Sequence, residues 1–449
     1  MYFPTAFQTV PYFTSAYESE AGAADEAARN VDARIATYIA THMGTPIADA
    51  SCQAPPAPDK DANITLVNAN IRDVQTVVAS EHFTAISTLS LTHPDAESLA
   101  FLAAFLVEHP QAATTLQLHV KDPIAPETMA RLGDRALKAL VLDYGDEQVD
   151  PAVLTALAHS NTPISLRGEF PPHAFLAASH IPTLTHLCMT GRGFDDNYAR
   201  WLSCHPRLEV LSLGANWNLS ARSIESIAAL PQLRELRVNE FLAPLITDRV
   251  AAVLAESSRF ESLEVHCVET TLSPGSVAAL SKSLTLTTLR VPIAAPLQHF
   301  SALASVEHLA FHRTNMRSTV TLDAASAAAI ASLPRLKSLV LPTLSYEKGA
   351  LAILLGRTGA ENMTFNGDHA FETGAIVALS YNERIKALTI KDASLSAANI
   401  AAMVRHPTLE RLTISNLEFI RKSGHPTLSL VTNDVVDAPA DPGFLRSML

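Results

Sequence analysis

The chain has 449 residues, a formal net charge of −12, 48% hydrophobic residues and 17% charged residues. That length exceeds what one compact core usually holds, so it predicts several domains or a repeat array, and the composition excludes wholesale disorder. The 33 Lys and Arg residues form no basic run, and no apolar stretch is long enough to span a bilayer. We therefore expect neither nucleic acid nor a membrane as a partner.

Residues 1–58 precede the repeats. Residues 1–17 carry no charged side chain and lack the basic start and apolar core of a signal peptide for general secretion. They are compatible with a type III secretion signal and equally with an ordinary disordered terminus. Residues 22–43 have apolar side chains at helical spacing, which predicts an amphipathic helix that either caps the repeat stack or docks a partner.

Internal repetition extends over residues 59–420. Segments of the form LxxLxL recur, as at 208–213 and 336–341. The fourth position of this motif is apolar in fifteen successive units, which are about 25 residues apart on average. We call these the marker residues: Ile64, Leu89, Leu116, Leu140, Ile164, Leu187, Leu211, Leu236, Leu263, Leu289, Leu309, Leu339, Met363, Leu388 and Leu412.

The second half of each unit has a helical period. Apolar residues occur nine and twelve positions before the marker, as at Leu254 and Ala251, and alanines flank them. A proline five positions before the marker, as at Pro206 and Pro407, ends the predicted helix. Each unit is therefore predicted to be a strand, a turn, a short helix and a turn, and stacked units form a parallel sheet lined by helices.

This pattern resembles the leucine-rich-repeat superfamily over residues 64–414. The helical half, as at 275–280, 349–352 and 374–379, resembles the GALA-type repeats of type III effectors from plant-pathogenic bacteria. The resemblance implies an α/β horseshoe-shaped solenoid of about 15 repeats, with a concave parallel sheet and convex short helices. The superfamily's asparagine after LxxLxL is in place only at Asn216, while Asn70 lies near that column but off register. We find no F-box of the kind that GALA effectors usually carry.

No catalytic motif is present, since the sequence has no HExxH, no GxSxG and no Walker loop. The four cysteines match no zinc or redox spacing, and none has the aspartate two residues later that marks bacterial leucine-rich-repeat ubiquitin ligases. We therefore expect no enzyme activity, no cofactor, no metal site and separate reduced thiols. His109, His205 and His406 precede prolines at predicted helix ends, where a partial positive charge suits the helix dipole.

The residues between and just after the leucines of each motif are predicted to point from the concave sheet into solvent. Toward the N-terminal end they are small and neutral, as at Ser90 and Ser165. In the middle they become charged or imidazole side chains: Arg237, Asn239, Glu240, Glu264, His266, Arg290, His308, His312 and Arg313. This mixed-charge patch is either an ordinary solvated face or the centre of a protein-binding surface, where arginine is a frequent anchor.

The leading hypothesis is a monomeric bacterial effector, secreted into the host cell cytoplasm, that binds a host protein through its concave face. One alternative is an adaptor for host ubiquitin ligase, which needs an F-box-like helix at 22–43. Another is a leucine-rich-repeat protein that stays in the bacterial cytoplasm. Residues 421–449 are predicted to hold a partial last repeat, with Leu428 and Leu430, and a loose tail.

Overall fold

The computed structural model describes residues 62–79, 83, 86–109, 114–134, 137–189, 194–214, 219–240, 246–267, 272–293, 297–313, 320–367, 369–391 and 395–431. At 62–63, 239–240 and 267 the description covers the backbone only. The expectations for residues 1–58, and those for the tail after Asp434, lie outside these ranges.

Seventeen of the described strands form one sheet, and β1 to β11, β13 and β15 to β17 are parallel neighbours in chain order. Each of these fifteen strands contains one marker residue, so the predicted repeat solenoid is confirmed. The strands are β1 (Ala62–Val67), β2 (Ile86–Thr92), β3 (Thr115–His119), β4 (Ala139–Gln148), β5 (Ile164–Glu169), β6 (Leu184–Met189), β7 (Val210–Leu213), β8 (Glu235–Glu240), β9 (Ser262–Cys267), β10 (Thr288–Ile293), β11 (His308–Arg313), β12 (Thr321–Leu322), β13 (Ser338–Leu341), β14 (Ser345–Tyr346), β15 (Asn362–Phe365), β16 (Ala387–Ile390), β17 (Arg411–Ile414), β18 (Leu417–Arg421) and β19 (Leu428–Val431).

Short helices connect the strands and cover one face of the sheet. They are α1 (Ile71–Val78), α2 (Ala96–Glu108), α3 (Pro126–Gly133), α4 (Pro151–Ala156), α5 (Pro172–Ser179), α6 (Asp196–Leu202), α7 (Ala221–Ala228), α8 (Asp248–Glu256), α9 (Pro274–Leu280), α10 (Ala324–Ala331), α11 (Ala350–Arg357), α12 (Thr373–Ser380) and α13 (Ala397–Val404). No described helix is both long and apolar enough to cross a membrane.

The core lies between the sheet and the helices. In the strands, burial alternates, as in β7 and β16, where the marker and the residue two positions later are buried and the others are half-buried. The helical residues nine positions before the markers are also buried, including Leu254, Ile330 and Met403. Because each unit buries its apolar side chains only against its neighbours, the core is continuous along the stack.

The markers lie opposite each other in successive strands, with one exception. Between β5 and β6 the register shifts, so that Ile164 lies opposite Leu184 and Leu187 lies opposite Leu166. The markers Ile164 and Leu187 are therefore not opposite each other. A shift of two residues leaves every side chain on its original face, because side chains alternate with a period of two. The core side chains stay buried despite the shift.

The described residues of the 20-residue unit between Leu289 and Leu309, which are 289–293 and 297–309, contain no α-helix. A 3₁₀-helix, Gln298–Ala302, replaces it, and Phe300 supplies the buried side chain. The following 30-residue unit contains β12, which pairs with β14 as a separate parallel pair. The markers stay in register across both units, with Leu289 opposite Leu309 and Leu309 opposite Leu339.

Serine at the third helical position bonds to the preceding unit in several repeats. The Ser276 hydroxyl donates to the Ile246 carbonyl oxygen (3.1 Å), and the Ser326 hydroxyl accepts from the Leu297 amide (2.9 Å). The Ser98 hydroxyl likewise donates to the Ala69 carbonyl oxygen, whereas the Ser223 hydroxyl donates to the Asp196 carboxylate of the preceding unit. Asn70 instead caps α1, where its side chain accepts from the backbone amides of residues 72 and 73. The turns are thus stabilised from the helix starts.

Two histidines before prolines are buried, which corrects the prediction of charge at the helix ends. Nε2 of His205 donates to the Ile181 carbonyl oxygen, and Nε2 of His406 donates to that of Leu379, both at 2.8 Å. Burial lowers the pKa of both imidazoles, so they are neutral links between units. Only His109, which is exposed at the end of α2, keeps the predicted setting.

The glycines at positions 275, 349 and 374, before or at the start of helices, occur for different structural reasons. Gly349 precedes α11 with a φ of 81°, a conformation that favours glycine. A side chain at Gly275 would collide with the Asp248 carboxylate, which lies within 3 Å of the position that a β-carbon would take. No described atom lies near that position at Gly374.

The end of the described stack is a β-hairpin. β18 runs antiparallel to β17, and β19 runs antiparallel to β18. Leu428, which we predicted to lie in a partial last repeat, is buried on the second strand of this hairpin, and that strand is antiparallel to its neighbour. Arg421 holds the hairpin to the last unit, because its guanidinium donates to the carbonyl oxygens of Leu409 (2.9 Å), Pro426 (2.6 Å) and His406.

Candidate functional site

The concave face is built from strand positions that alternate with the buried leucines. Arg237, Glu264 and Arg290 each follow a marker directly and lie opposite one another on β8, β9 and β10. Adjacent strands are about 4.8 Å apart, so the register alone brings these three side chains together. The sequence-predicted patch therefore has a physical centre at Glu264.

Glu264 is buried at this centre and has three partners. His266 Nε2 donates to its Oε1 at 2.6 Å, Arg237 Nε lies 3.3 Å from Oε2, and Arg290 Nη1 lies 3.6 Å from Oε1. The hydrogen bond from His266 and the charges of His266 and the two arginines lower the pKa of this carboxyl, against the effect of burial. Glu264 is thus held ionised, and it holds the two guanidiniums in place.

Two histidine rings lie beside the carboxylate. The rings of His266 and His312 have centroids 4.7 Å apart and an interplanar angle of 31°. Nε2 of His312 is buried and has no hydrogen-bond partner among the described residues. Burial, together with the charge of His266, lowers the pKa of His312 to about 4. His312 is therefore a neutral ring at neutral pH.

Exposure differs sharply between the charges of the cluster. The side chains of Arg237 and Arg290 are 51% and 56% exposed and that of His266 is 46% exposed, whereas that of Glu264 is only 10% exposed. Arg237 also pairs with Glu235, whose side chain is 23% exposed. Guanidinium and imidazole groups therefore form the accessible surface, and the carboxylates lie beneath it.

The remaining predicted residues lie around this cluster. His308 is exposed at the start of β11, opposite Thr288. Arg313 is exposed at the end of β11, but it falls in the alternation of the buried Leu309 and Phe311, not in that of His312. For Asn239 and Glu240 the backbone alone is described, opposite residues 266 and 267. The structure thus brings together Arg237, Glu264, His266, Arg290 and His312.

A second concave cluster corrects the prediction that the N-terminal part of this face is small and neutral. His119, Asp143 and Arg167 lie opposite one another on β3, β4 and β5, three positions after their markers. Asp143 Oδ2 lies 3.3 Å from His119 Nδ1 and 3.6 Å from Arg167 Nη1. These charged residues lie three positions after the markers, where the sequence shows them directly. The neutral residues on which the prediction rested, Ser90 and Ser165, lie one position after the markers.

A column of alternating charges runs along the strand starts, two positions before the markers. Its ion pairs join Arg234 to Glu209 and Glu261, Lys337 to Glu307, and Lys386 to Glu361. The column continues at Glu410. Its alternation is interrupted at Thr287, which lies between Glu261 and Glu307. Each backbone amide in this column also donates to the carbonyl oxygen of the column residue one unit earlier, as the Lys337 amide donates to the Glu307 carbonyl. We call this column the charge ladder.

The described ranges contain no group of three His, Cys, Asp or Glu side chains that could hold a metal ion. Of the cysteines in these ranges, Cys188 is half-buried on β6 and Cys204 is exposed after α6, and both are free thiols. The arrangement on the concave face can bind and orient a partner through charged hydrogen bonds.

No family model matches the chain, and no curated protein matches it. Among solved structures, it is similar to TLR13 in complex with ssRNA13, at 17% identity and a TM-score of 0.40, over 78% of this chain and 53% of that one. This chain thus spans about half the length of TLR13. It is also similar to the leucine-rich-repeat protein LIC12759 of Leptospira interrogans, at 13% identity and a TM-score of 0.39, over 82% and 88% of the two chains. The fold is a leucine-rich-repeat solenoid. At these identities the likeness concerns the fold alone.

Proposed function

We propose that this chain is a protein-binding scaffold that takes its partner on the concave face, centred on Arg237, Glu264 and Arg290. The observation that carries the proposal is the contrast in exposure there, since half-exposed guanidiniums are fixed by a buried carboxylate. A guanidinium held in this way loses less conformational entropy on binding than a free one, which favours its use as an interface anchor. Such anchors carry much of the binding energy in protein interfaces.

The test compares two pairs of arginines on opposite faces. The concave pair is Arg237→Ala with Arg290→Ala, and the matched control is Arg222→Ala with Arg249→Ala, which are exposed on α7 and α8. Partners captured by the wild-type chain are expected to stay with the control and to be lost from the concave pair. Far-UV circular dichroism should be unchanged in both, whereas the concave pair should melt at a lower temperature, because the buried Glu264 loses two of its three partners. Partners that stay with the concave pair and leave the control would place binding on the helical face instead.

We further propose that the chain is a bacterial effector that works inside a host cell, bound to a host protein. The GALA-like helical segments and the uncharged residues 1–17 support this setting. A reporter enzyme fused to residues 1–50 should enter host cells in a manner that requires an intact type III secretion system. A reporter that stays in the bacterium would instead support a leucine-rich-repeat protein of the bacterial cytoplasm.

A further inference from the structure

The cations at the centre of the concave face have donors beyond those that the resident carboxylates use. The carboxylate contacts of Arg237 run through Nε, and that of Arg290 runs through Nη1. A guanidinium carries more N–H donors than these contacts engage, and its fork matches a carboxylate in two-point geometry. Because Glu264 and Glu235 lie beneath, an incoming carboxylate meets the guanidinium edges first.

The cationic surface is confined to a few neighbouring strands. In the same column as Arg237 and Arg290, the strands on either side carry Ser212 and, beyond Ala310, Val340 and Thr364. At the strand starts beside this surface the charge ladder is mixed, since Arg234 pairs with Glu209 and Glu261, and Lys337 pairs with Glu307. A nucleic acid needs cations that follow its phosphates step by step, and this face offers them over only a few strands. The charge pattern therefore favours a short acidic segment over a long polyanion.

We infer that the partner is recognised through a short protein segment bearing aspartate or glutamate side chains, which pair with Arg237 and Arg290 above the buried Glu264. This inference rests on the proposed concave binding function and adds the chemistry of the partner. Arg237 and Arg290 lie two strands apart, about 10 Å, so neighbouring carboxylates of one segment can each meet a guanidinium. The adjacent rings of His266 and His312, tilted by 31° to each other, lie beside this position as a partly apolar contact.

The test uses a fluorescein-labelled peptide of twelve residues that alternates aspartate and serine, and a control peptide with asparagine in place of aspartate. By fluorescence anisotropy, the aspartate peptide is expected to bind the full chain at low salt and to weaken as salt rises. Arg237→Gln and Arg290→Gln should each weaken binding by about tenfold, the loss of one charge-assisted hydrogen bond. Arg249→Gln, on the helical face, is the matched control and should bind like the wild type.

Several results would overturn the inference. These are absence of binding by the aspartate peptide, equal binding of both peptides, or wild-type affinity in both concave variants. A twelve-nucleotide oligouridylate that binds more tightly than the aspartate peptide, with the same dependence on the two arginines, would replace the acidic segment with RNA. If the concave pair loses a captured protein while the aspartate peptide does not bind, the scaffold function stands and only the acidic segment is rejected.

Discussion

At the scale of single residues, the concave cluster shows how a buried carboxylate and its neighbours set each other's ionisation. His312 is neutral because burial and the nearby His266 oppose its protonation, and Glu264 is ionised because His266 and two arginines contact it. Both effects make the folded protein bind fewer protons than the unfolded chain in acid. The cluster therefore couples the stability of the protein to pH.

We predict that the melting temperature falls as the pH is lowered from about 6.5 to about 4. The unfolded chain protonates His312 near its ordinary value of 6.5, whereas the folded protein does so only near 4, so acid favours unfolding across this window. His205 and His406, whose pKa values are also lowered, act in the same direction. His312→Gln should make the fall shallower, as followed by calorimetry. A His312 titration midpoint near 6.5 by NMR would contradict the prediction.

The residues of this cluster could be selected from the sequence, but their ionisation could not. The spacing of the markers places Arg237, Glu264 and Arg290 in one column, since parallel strands in register repeat the same face. The setting of the His312 ring depends on tertiary contacts such as the one with His266 two strands away, which no repeat spacing specifies. His205 and His406 were misjudged for the same reason, because a histidine before a proline can point outward or toward the preceding unit.

At the scale of elements, the helix starts hold the units together through buried hydroxyls. Ser326 is fully buried at the third position of α10, and its hydroxyl accepts the Leu297 amide of the preceding unit. An N-cap residue followed three positions later by serine, as in Asp323 and Ser326 or Ser273 and Ser276, is visible in the sequence. That spacing predicts a bond between units wherever the serine is buried.

We predict that Ser326→Ala lowers the free energy of unfolding by about 1–2 kcal/mol, because it leaves a buried amide without an acceptor. The control is Ser226→Ala on α7, whose exposed hydroxyl bonds only to its own helix at Arg222. That variant should change the free energy of unfolding by less than about 0.5 kcal/mol. Denaturant titration measures both changes. Equal losses of free energy of unfolding would show that the buried Ser326 bond stabilises the protein no more than the exposed Ser226 bond does.

Arg421 adds several hydrogen bonds between the hairpin at the end of the described stack and the last unit. Arg421→Lys is expected to lower the free energy of unfolding by about 1–3 kcal/mol, because a lysine ammonium cannot reach the carbonyl oxygens of His406, Leu409 and Pro426 together. Lys422→Arg, next to it and exposed, is the control. Hydrogen exchange should accelerate first in β18 and β19, and uniform acceleration along the stack would argue against a local anchor.

The direction of a strand is the feature that the repeat pattern does not specify. Leu428 and Leu430 alternate with polar residues as any strand does, and alternation reads the same in both directions. The fifteen parallel strands were predictable because a helical half separates each pair of markers. Between β17 and β18 only a short turn intervenes, and a turn of that length joins antiparallel strands.

At the scale of the whole molecule, the charges of the ladder alternate from one unit to the next. Removing one unit can therefore bring like charges together, whereas removing two keeps opposite charges adjacent. Deletion of residues 340–363 removes one unit and brings Lys337 next to Lys386, whereas deletion of 340–388 removes two units and brings Lys337 next to Glu410. We predict that added salt raises the melting temperature of the first variant and not of the second, because salt screens the new repulsion. Equal salt responses would show that the ladder does not act along the stack.

Each unit of a solenoid presents nearly the same surface to its neighbours. During folding, a unit could therefore pack against the second unit along the chain instead of the adjacent one. The leucines cannot prevent this error, because they are alike in every strand. Between residues 209 and 410 the charge ladder gives alternate units opposite signs, apart from Thr287, so loss of a unit flanked by two like charges, such as that of Glu361, brings those charges together. We expect the ladder to favour correct neighbours during assembly of this part of the stack, so that changes in length there are tolerated best when units are added or removed in pairs.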